Sequence, residues 1–216
     1  CVSHIYSKDS SCLISHVVSG NKELQMEGID MVYDFMVEIV PDAIQFNASN
    51  GDSVLILSND KQVAAYTMNG EKQWKLDLST PMIDQPQIVD FDNNGIYELV
   101  LFQQDQIDVV NDQGASISGF PAKLGGTSTA GLAVNYDNSY KWRLLVNVNN
   151  SVKVYSEEGK VVDGWMFNGM HAGMDGKIYH VITEGKDIIT FKDQTNFQHV
   201  LNRRGEYRLD HDVVFN

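Results

Sequence analysis

The stretch QIVDFDNNGIYELVLFQQDQIDVVNDQGASISGFPAKL, from Gln87 to Leu124, contains four short strand-like segments. The segments QIVDF, ELVLF, QIDVV and SGFPAKL carry the alternating or continuous apolar residues of half-buried and buried strands. The breaks between them, DNNGIY, QQD and NDQG, are rich in Asn, Asp and Gly, which favour tight turns. Nothing of helical period and length intervenes. The stretch therefore predicts four antiparallel strands joined by short turns.

Copies of this pattern recur along the chain with a nearly constant period. The second strand reappears as SVLIL, ELVLF, RLLV and DIITF, whose first residues, Ser53, Glu98, Arg143 and Asp187, are separated by 45, 45 and 44 positions. The following hairpin carries a glycine in each copy, because a tight turn needs a residue that tolerates positive φ. These glycines are Gly70, Gly114, Gly159 and Gly205, separated by 44, 45 and 46 positions. Two markers with one period indicate an internal repeat.

The size of the repeat predicts the fold class. Four strands in about 45 residues match one blade of a β-propeller, for which about 40–50 residues are usual. We therefore expect an all-β protein, a β-propeller of about five four-stranded antiparallel blades, forming a single domain over residues 1–216. The expected units cover about residues 1–50, 51–95, 96–140, 141–185 and 186–216.

Two arrangements of the blades remain open. The C-terminal segment HDVVFN resembles one further strand, and its pairing with the segment HIYS near the N terminus would close a ring. Without that pairing, the chain would be an arc of a larger propeller. The chain does not begin with Met, so we expect it to be a processed product or part of a larger protein.

The segments VDFDNNGIYELVLF and IDVVNDQGASISGFP together resemble the FG-GAP and quinoprotein-like (PQQ-type) propeller repeats. The segment AAYTMNGEKQWKLDL resembles the second half of a PQQ-type repeat, whose Trp packs between neighbouring blades. The series is most similar to the repeat region of uncharacterised large envelope proteins of Bacteroides-type bacteria. This resemblance spans residues 41–209 and implies a bacterial cell-envelope location, periplasmic or at the outer surface. It implies no particular activity, because propellers host unrelated functions.

Charge and hydropathy exclude some classes of partner. The formal net charge of −13 argues against nucleic-acid binding, which needs a basic surface for the phosphates. No apolar run reaches the ~18–20 residues of a transmembrane helix. We therefore expect a protein or glycan partner, no nucleic acid and no transmembrane segment.

One loop has the residue spacing of a cation site. Its side-chain oxygens belong to Asp90, Asp92, Asn94 and Glu98, and the backbone carbonyl of Ile96 could add another. FG-GAP loops of this pattern bind calcium, so the resemblance implies calcium as a cofactor here. The other units lack the pattern, since Arg143 replaces the glutamate in the next one. The alternative is a plain turn in which Asp and Asn side chains bond their own backbone.

Two groups of aromatic residues suggest different roles. Trp74, Phe120 and Trp165 recur at one position of the repeat, which predicts structural packing between blades, because a binding site is normally unique. Tyr136, Tyr140 and Trp142 fall outside that series, in and beside the loop NYDNSYKW. This second group is the candidate partner or ligand face, with ordinary loop packing as the alternative.

No catalytic residues can be assigned. The chain contains no G-x-S-x-G, H-E-x-x-H, Walker or C-x-x-C motif. We therefore expect a non-catalytic interaction or scaffold module of a bacterial cell-envelope protein. The second interpretation is a carbohydrate-active propeller, either a glycoside hydrolase or a lectin-like binder, that uses the central channel or one loop face. A carboxylate pair on the axis would favour the hydrolase.

Overall fold

The computed structural model describes residues 53–136 and 141–208 and, before them, the backbone of five strands within residues 5–47. The predicted face residue Tyr140 lies outside the described residues. No α-helix occurs in the described part of the chain, and none of its elements is a helix long and apolar enough to cross a membrane.

The described residues form eighteen strands in five antiparallel sheets, which we number I to V. Sheet I contains β1 (Ile5–Tyr6), β2 (Leu13–Val17), β3 (Glu23–Glu27) and β4 (Val32–Asp34). Sheet II contains β5 (Asp42–Asn47), β6 (Ser53–Ser58), β7 (Gln62–Thr67) and β8 (Lys72–Asp77). Sheet III contains β9 (Gln87–Val89), β10 (Glu98–Phe102), β11 (Gln106–Val110) and β12 (Ala122–Lys123). Sheet IV contains β13 (Ser128–Asn135), β14 (Trp142–Val148) and β15 (Ser151–Tyr155), and sheet V contains β16 (Met174–Thr183), β17 (Lys186–Asp193) and β18 (Gln198–Leu201).

Every sheet pairs its strands in chain order, so each is an up-and-down meander. In sheets IV and V the fourth strand is reduced to single bridges, between Tyr155 and Val161 and between Leu201 and Tyr207. The predicted all-β fold of antiparallel, four-stranded units is thus confirmed. The chain forms two compact units, residues 1–78 with sheets I and II and residues 79–216 with sheets III to V.

The repeat has the predicted period, but its sheets begin and end at other residues than the expected unit boundaries. The expected boundaries at residues 51, 96, 141 and 186 each fall between the first and second strands of one sheet. Sheet III instead spans Gln87–Lys123, nearly the whole of the stretch from Gln87 to Leu124. A period shows how far apart equivalent strands lie, whereas strand pairing decides which strands share a sheet.

The repeated hairpin turns have one geometry. In sheet III the turn closes with a hydrogen bond from the Gly114 N–H to the Asn111 carbonyl at 3.0 Å, and the φ of Gly114 is 75°. The Asn111 side-chain oxygen also accepts the N–H groups of Gln113 and Ala115. The other turns repeat the glycine bond, with Thr67, Ser156 and Asn202 in the place of Asn111. A short polar side chain followed three positions later by glycine therefore forms each turn.

Alternation along β14 lets sheet IV pack against both sheet III and sheet V. Leu144, Val146 and Val148 point to sheet III and belong to a buried cluster with Val100 and Phe102. Leu145 points to the other side, into the buried cluster that sheet V completes. Because successive side chains of a strand point to opposite faces, one strand can fill both interfaces.

Two glycines permit close contacts between consecutive sheets. The backbone of Gly131 lies against the ring of Phe102, so a Cβ there would be 2.2 Å from the ring. The turn glycine Gly159 of sheet IV lies against the Gly119 carbonyl in the segment that precedes β12, where a Cβ would be 2.1 Å away. The turn of one sheet thus packs directly on the last segment of the preceding sheet.

Trp165 occupies the equivalent contact between sheets IV and V. A Cβ on Gly205, the turn glycine of sheet V, would lie 2.9 Å from the Trp165 ring. The indole is half-buried against the sheet IV–V cluster, and its Nε1 donates to the Val152 carbonyl at 2.7 Å. The ring therefore contacts both sheets.

We predict that Trp165→Ala lowers the free energy of unfolding by about 2–4 kcal/mol, because it removes a large ring from the contact between two sheets. Urea titration measures the change. Trp165→Phe is the matched control, since it keeps an aromatic ring in the contact while losing the hydrogen bond of about 1 kcal/mol and part of the ring area, so it should lose less stability than the alanine variant. A loss below about 1 kcal/mol in the alanine variant would contradict a structural role for this ring.

Candidate metal centre

The loop between β9 and β10 is a compact turn built by its own side chains. The Asp90 carboxylate accepts the backbone N–H groups of Asn94 at 2.9 Å and Gly95 at 3.1 Å. Asn93 and Gly95 adopt positive φ, 58° and 84°, as Asn and Gly tolerate best. The loop therefore has the hydrogen bonds of the alternative interpretation, a turn in which Asp and Asn side chains bond their own backbone.

The same loop brings three carboxylates together. One oxygen from each of Asp90, Asp92 and Glu98 lies within 4.8 Å of the others. Calcium holds its oxygen ligands at about 2.3–2.6 Å, so ligands on opposite sides of one ion are about 5 Å apart. The three oxygens therefore fit around one calcium-sized ion.

The other two predicted ligands, Asn94 and Ile96, are hydrogen-bonded to each other. The Asn94 side-chain oxygen accepts the Ile96 N–H at 2.6 Å, and the Asn94 amide donates to the Asp92 carboxylate at 2.8 Å. Asn94 thus shapes the loop in this structure, and the carboxylates are the residues that converge.

Glu98 is the buried member of the group, with 5% of its surface exposed. Burial, and then the charges of Asp92, Asp90 and Asp112, raise the pKa of Glu98 to about 7. The N–H of Phe91, 2.8 Å from the carboxylate, acts in the opposite direction. A buried carboxylate among like charges is stabilised by a bound cation, because the cation offsets both desolvation and repulsion.

The equivalent positions of the next sheet carry opposite charges. In each sheet the second strand begins next to the turn that follows the third strand. We call this place the corner of the sheet. In sheet IV the corner holds an ion pair, Arg143 with Glu157, whose nitrogen and oxygen are 2.5 Å apart. In sheet V the position of Arg143 is taken by Ile188, and the nearby ion pair joins Asp187, one residue earlier, to Arg203 at 4.0 Å.

The corner of sheet III differs from that of sheet IV. Leu99 pairs with Val110 as Leu144 pairs with Tyr155, so Glu98 stands where Arg143 stands, and Asp112 stands where Glu157 stands. Two carboxylates therefore occupy a pair of positions that in sheet IV holds one cation and one anion. We call this group of carboxylates the acidic corner (Asp90, Asp92, Glu98 and Asp112).

The predicted partner face is not one cluster in the structure. Trp142 pairs in register with Asn135, so Trp142 and Tyr136 lie on opposite faces of sheet IV. Trp142 is half-buried against sheet III and donates from Nε1 to the Asp90 carbonyl at 2.6 Å. Tyr136 packs toward sheet V, edge-to-face with His180 at 5.6 Å. Trp142 therefore supports the loop of the acidic corner.

The remaining predicted aromatic residues are half-buried on their sheets. Phe120 packs edge-to-face on Phe91, with ring centroids 5.7 Å apart, in the core between sheets III and IV. Trp74 lies on β8 and pairs in register with Ala65. The structural role of this series stays a prediction, which the Trp165 substitution tests.

The sequence did not reveal which residues strand pairing and packing would bring next to the β9–β10 loop. The positions of Asp112 and Trp142 beside the loop follow from pairing and packing across 14 to 52 residues. Aligning the repeats at both corner positions would have found Asp112. It would also have shown the arginines at 203, 204 and 208, which the segment RRGEYR places together.

The sequence matches no protein-family model. It is 29% identical over 151 residues to a lambda-carrageenase of Pseudoalteromonas carrageenovora, an alignment that covers 68% of this chain and 13% of that enzyme. The chain thus spans about an eighth of the length of the curated relatives it matches.

Solved structures identify the class of fold. The superposition on BBS1N, solved in complex with ARL6DN, has a TM-score of 0.63 at 10% identity and covers 97% of this chain and 67% of that one. Streptogramin B lyase superposes with a TM-score of 0.51 at 14% identity and covers 96% and 68%. Both are β-propeller proteins, and the chain belongs to this fold class.

We predict that Glu98 makes the stability of the metal-free protein depend on pH. Its pKa is about 7 in the folded state against an ordinary value of 4.5, so its stabilising contribution is complete below about pH 4.5 and is lost as the pH rises through 7. In chelator, Glu98→Gln should therefore gain about 2 kcal/mol relative to wild type between pH 5 and pH 8.5.

Urea titrations across this pH range measure the effect. Glu71→Gln, which neutralises an exposed carboxylate in sheet II, is the control and should follow the wild-type curve. Parallel curves for wild type and Glu98→Gln would show that Glu98 titrates as an ordinary surface carboxylate.

Proposed function

We propose that this chain is a non-catalytic β-propeller interaction module of a larger bacterial cell-envelope protein, and that calcium stabilises its acidic corner. The observation that carries the proposal is the convergence of three carboxylates on one calcium-sized space, with a buried glutamate at its base. A bound ion would join the β9–β10 loop to the sheet core through Glu98, which would hold a loop surface in one shape for a partner.

The burial of Glu98 favours a structural ion over acid catalysis. A glycosidase acid with a pKa near 7 must reach the glycosidic oxygen of its substrate, and its partner carboxylate lies about 5–9.5 Å away across the sugar. Glu98 is 5% exposed and accepts a backbone N–H of its own loop. One oxygen of Asp90 and one of Asp92 lie within 4.8 Å of a Glu98 oxygen, which is the convergence that a bound cation needs.

Other buried carboxylates of the described residues also serve the fold. Asp108 accepts the Ser116 hydroxyl at 2.9 Å, and Asp193 accepts the N–H groups of Thr195 and Phe197 at 2.9 and 3.1 Å. Asp187 lies 2.8 Å from the His180 ring nitrogen. These contacts support a module whose buried charges stabilise turns and sheet ends.

We predict saturable calcium binding by the wild-type protein in isothermal titration calorimetry. Asp92→Ala removes one of the three convergent carboxylates and should abolish the binding heat. Asp163→Ala is the matched control, because Asp163 is an exposed carboxylate of the loop after β15. At a calcium concentration about 100-fold above Kd, the wild type should gain about 2.7 kcal/mol of stability. Binding heats that are equal in wild type and Asp92→Ala would refute the site.

The similarity to lambda-carrageenase favours a second candidate function, recognition of a polysaccharide. The aligned part covers 68% of this chain but only 13% of that enzyme, so it supports a shared module rather than a shared active site. On this proposal the chain is lectin-like and would bind a glycan without cleaving it.

We predict that the chain retains a polysaccharide in affinity electrophoresis without releasing new reducing ends or unsaturated products from it. Lambda-carrageenan is the first ligand to test, with neutral agarose as the uncharged comparison. Product release would replace the lectin-like proposal by an enzymatic one. An unchanged mobility in every polysaccharide would refute the lectin-like proposal and leave only the proposed module that binds a protein partner.

A further inference from the structure

The corner of sheet V forms an open pocket of about 390 Å³. This volume lies within the ~300–1,000 Å³ that is usual for ligand pockets. Its charged lining residues are Lys186, Asp187, Arg203, Arg204, Glu206 and Arg208. Three of the four arginines of the whole chain therefore line one pocket.

The two carboxylates of the pocket are engaged within the protein. Asp187 is 3% exposed and lies 2.8 Å from the His180 ring nitrogen and 4.0 Å from Arg203. Glu206 accepts the side-chain amide of Asn202 at 2.7 Å. The lining carries four cationic side chains against these two anions.

Part of the cationic group is held in place by the fold. The Arg208 guanidinium donates from Nε and Nη2 to the Asp187 carbonyl at 3.1 and 2.9 Å. Lys186 and Arg204 are exposed, and their side chains make no hydrogen bond or ion pair with the described residues. The pocket thus combines one anchored guanidinium with two cationic side chains that point to solvent.

This concentration of positive charge contrasts with the rest of the chain, whose formal net charge is −13. Single surface cations contribute little, but several converging cations raise the local concentration of anions. Guanidinium groups match the planar or tetrahedral oxygens of carboxylate, sulfate and phosphate groups. The pocket therefore fits a ligand that bears such groups.

We propose that the basic corner (Lys186, Arg203, Arg204 and Arg208) binds the sulfate or carboxylate substituents of an acidic polysaccharide. The choice of a polysaccharide rests on the second proposed function, and the choice of an acidic one rests on the pocket. An acidic protein segment would satisfy the same charges, so it is the alternative that the experiment must separate.

The test compares two double variants that remove the same charge from different places. Lys186→Gln with Arg204→Gln removes the two exposed cations of the basic corner and leaves the anchored Arg208 in place. Lys123→Gln with Lys192→Gln removes two exposed lysines of sheets III and V outside the pocket. Unchanged thermal unfolding of both variants establishes that neither substitution disturbs the fold.

Binding is measured by biolayer interferometry at low and at 0.15 M salt on lambda-carrageenan, polygalacturonate, neutral agarose and poly-glutamate. We expect the corner variant to lose about tenfold in affinity for a sulfated or carboxylated polysaccharide, while the control variant stays within about twofold of wild type. The sulfated and carboxylated polymers distinguish the two kinds of substituent.

Each other outcome overturns the inference in a recognisable way. Equal binding by wild type and the corner variant would leave polysaccharide recognition standing but remove it from this pocket. Equal losses in both variants would indicate a general charge effect. Binding of poly-glutamate alone would assign the corner to an acidic protein segment. Wild-type protein that binds no polysaccharide would refute the second proposed function together with this inference.

Discussion

The structure of residues 79–216 depends on the burial of both faces of β14. Leu144 and Val146 complete the core toward sheet III, and Leu145 completes the core toward sheet V. A shift of one residue in the pairing of this strand would exchange the two sets of side chains and disrupt both interfaces. The strand register is therefore strongly specified, and it fixes the positions at which the strands end.

That constraint explains why the corners can vary. The core needs only the apolar residues of the strands, so the charged residues at the strand ends are free to differ among sheets. The result is an acidic corner in sheet III, an ion pair in sheet IV and a basic corner in sheet V. The same backbone position thus offers oxygen ligands in one sheet and cationic donors in another, without any change in the fold.

Much of the fold was predictable because its signals are local. The four strands of Gln87–Leu124, the turn glycines and the D-x-D-x-N-G spacing depend on residues a few positions apart. The boundaries of the units were not predictable, because they depend on which strands pair. The partner face was not predictable either, since the Asn135–Trp142 register decides that Tyr136 and Trp142 lie on opposite faces. The convergence of carboxylates followed from the sequence, whereas the burial of Glu98 required the packed sheets.

The contact of Gly159 with Gly119 has a consequence for cooperativity. Each turn touches the segment just before it along the series, so a sheet of this unit is stabilised mainly by its immediate neighbours. Sheets III to V therefore behave as a quasi-one-dimensional array, in which the interface energies between adjacent sheets determine how far order propagates. Sheet IV packs on both sheet III and sheet V, so we expect local opening to be rare there.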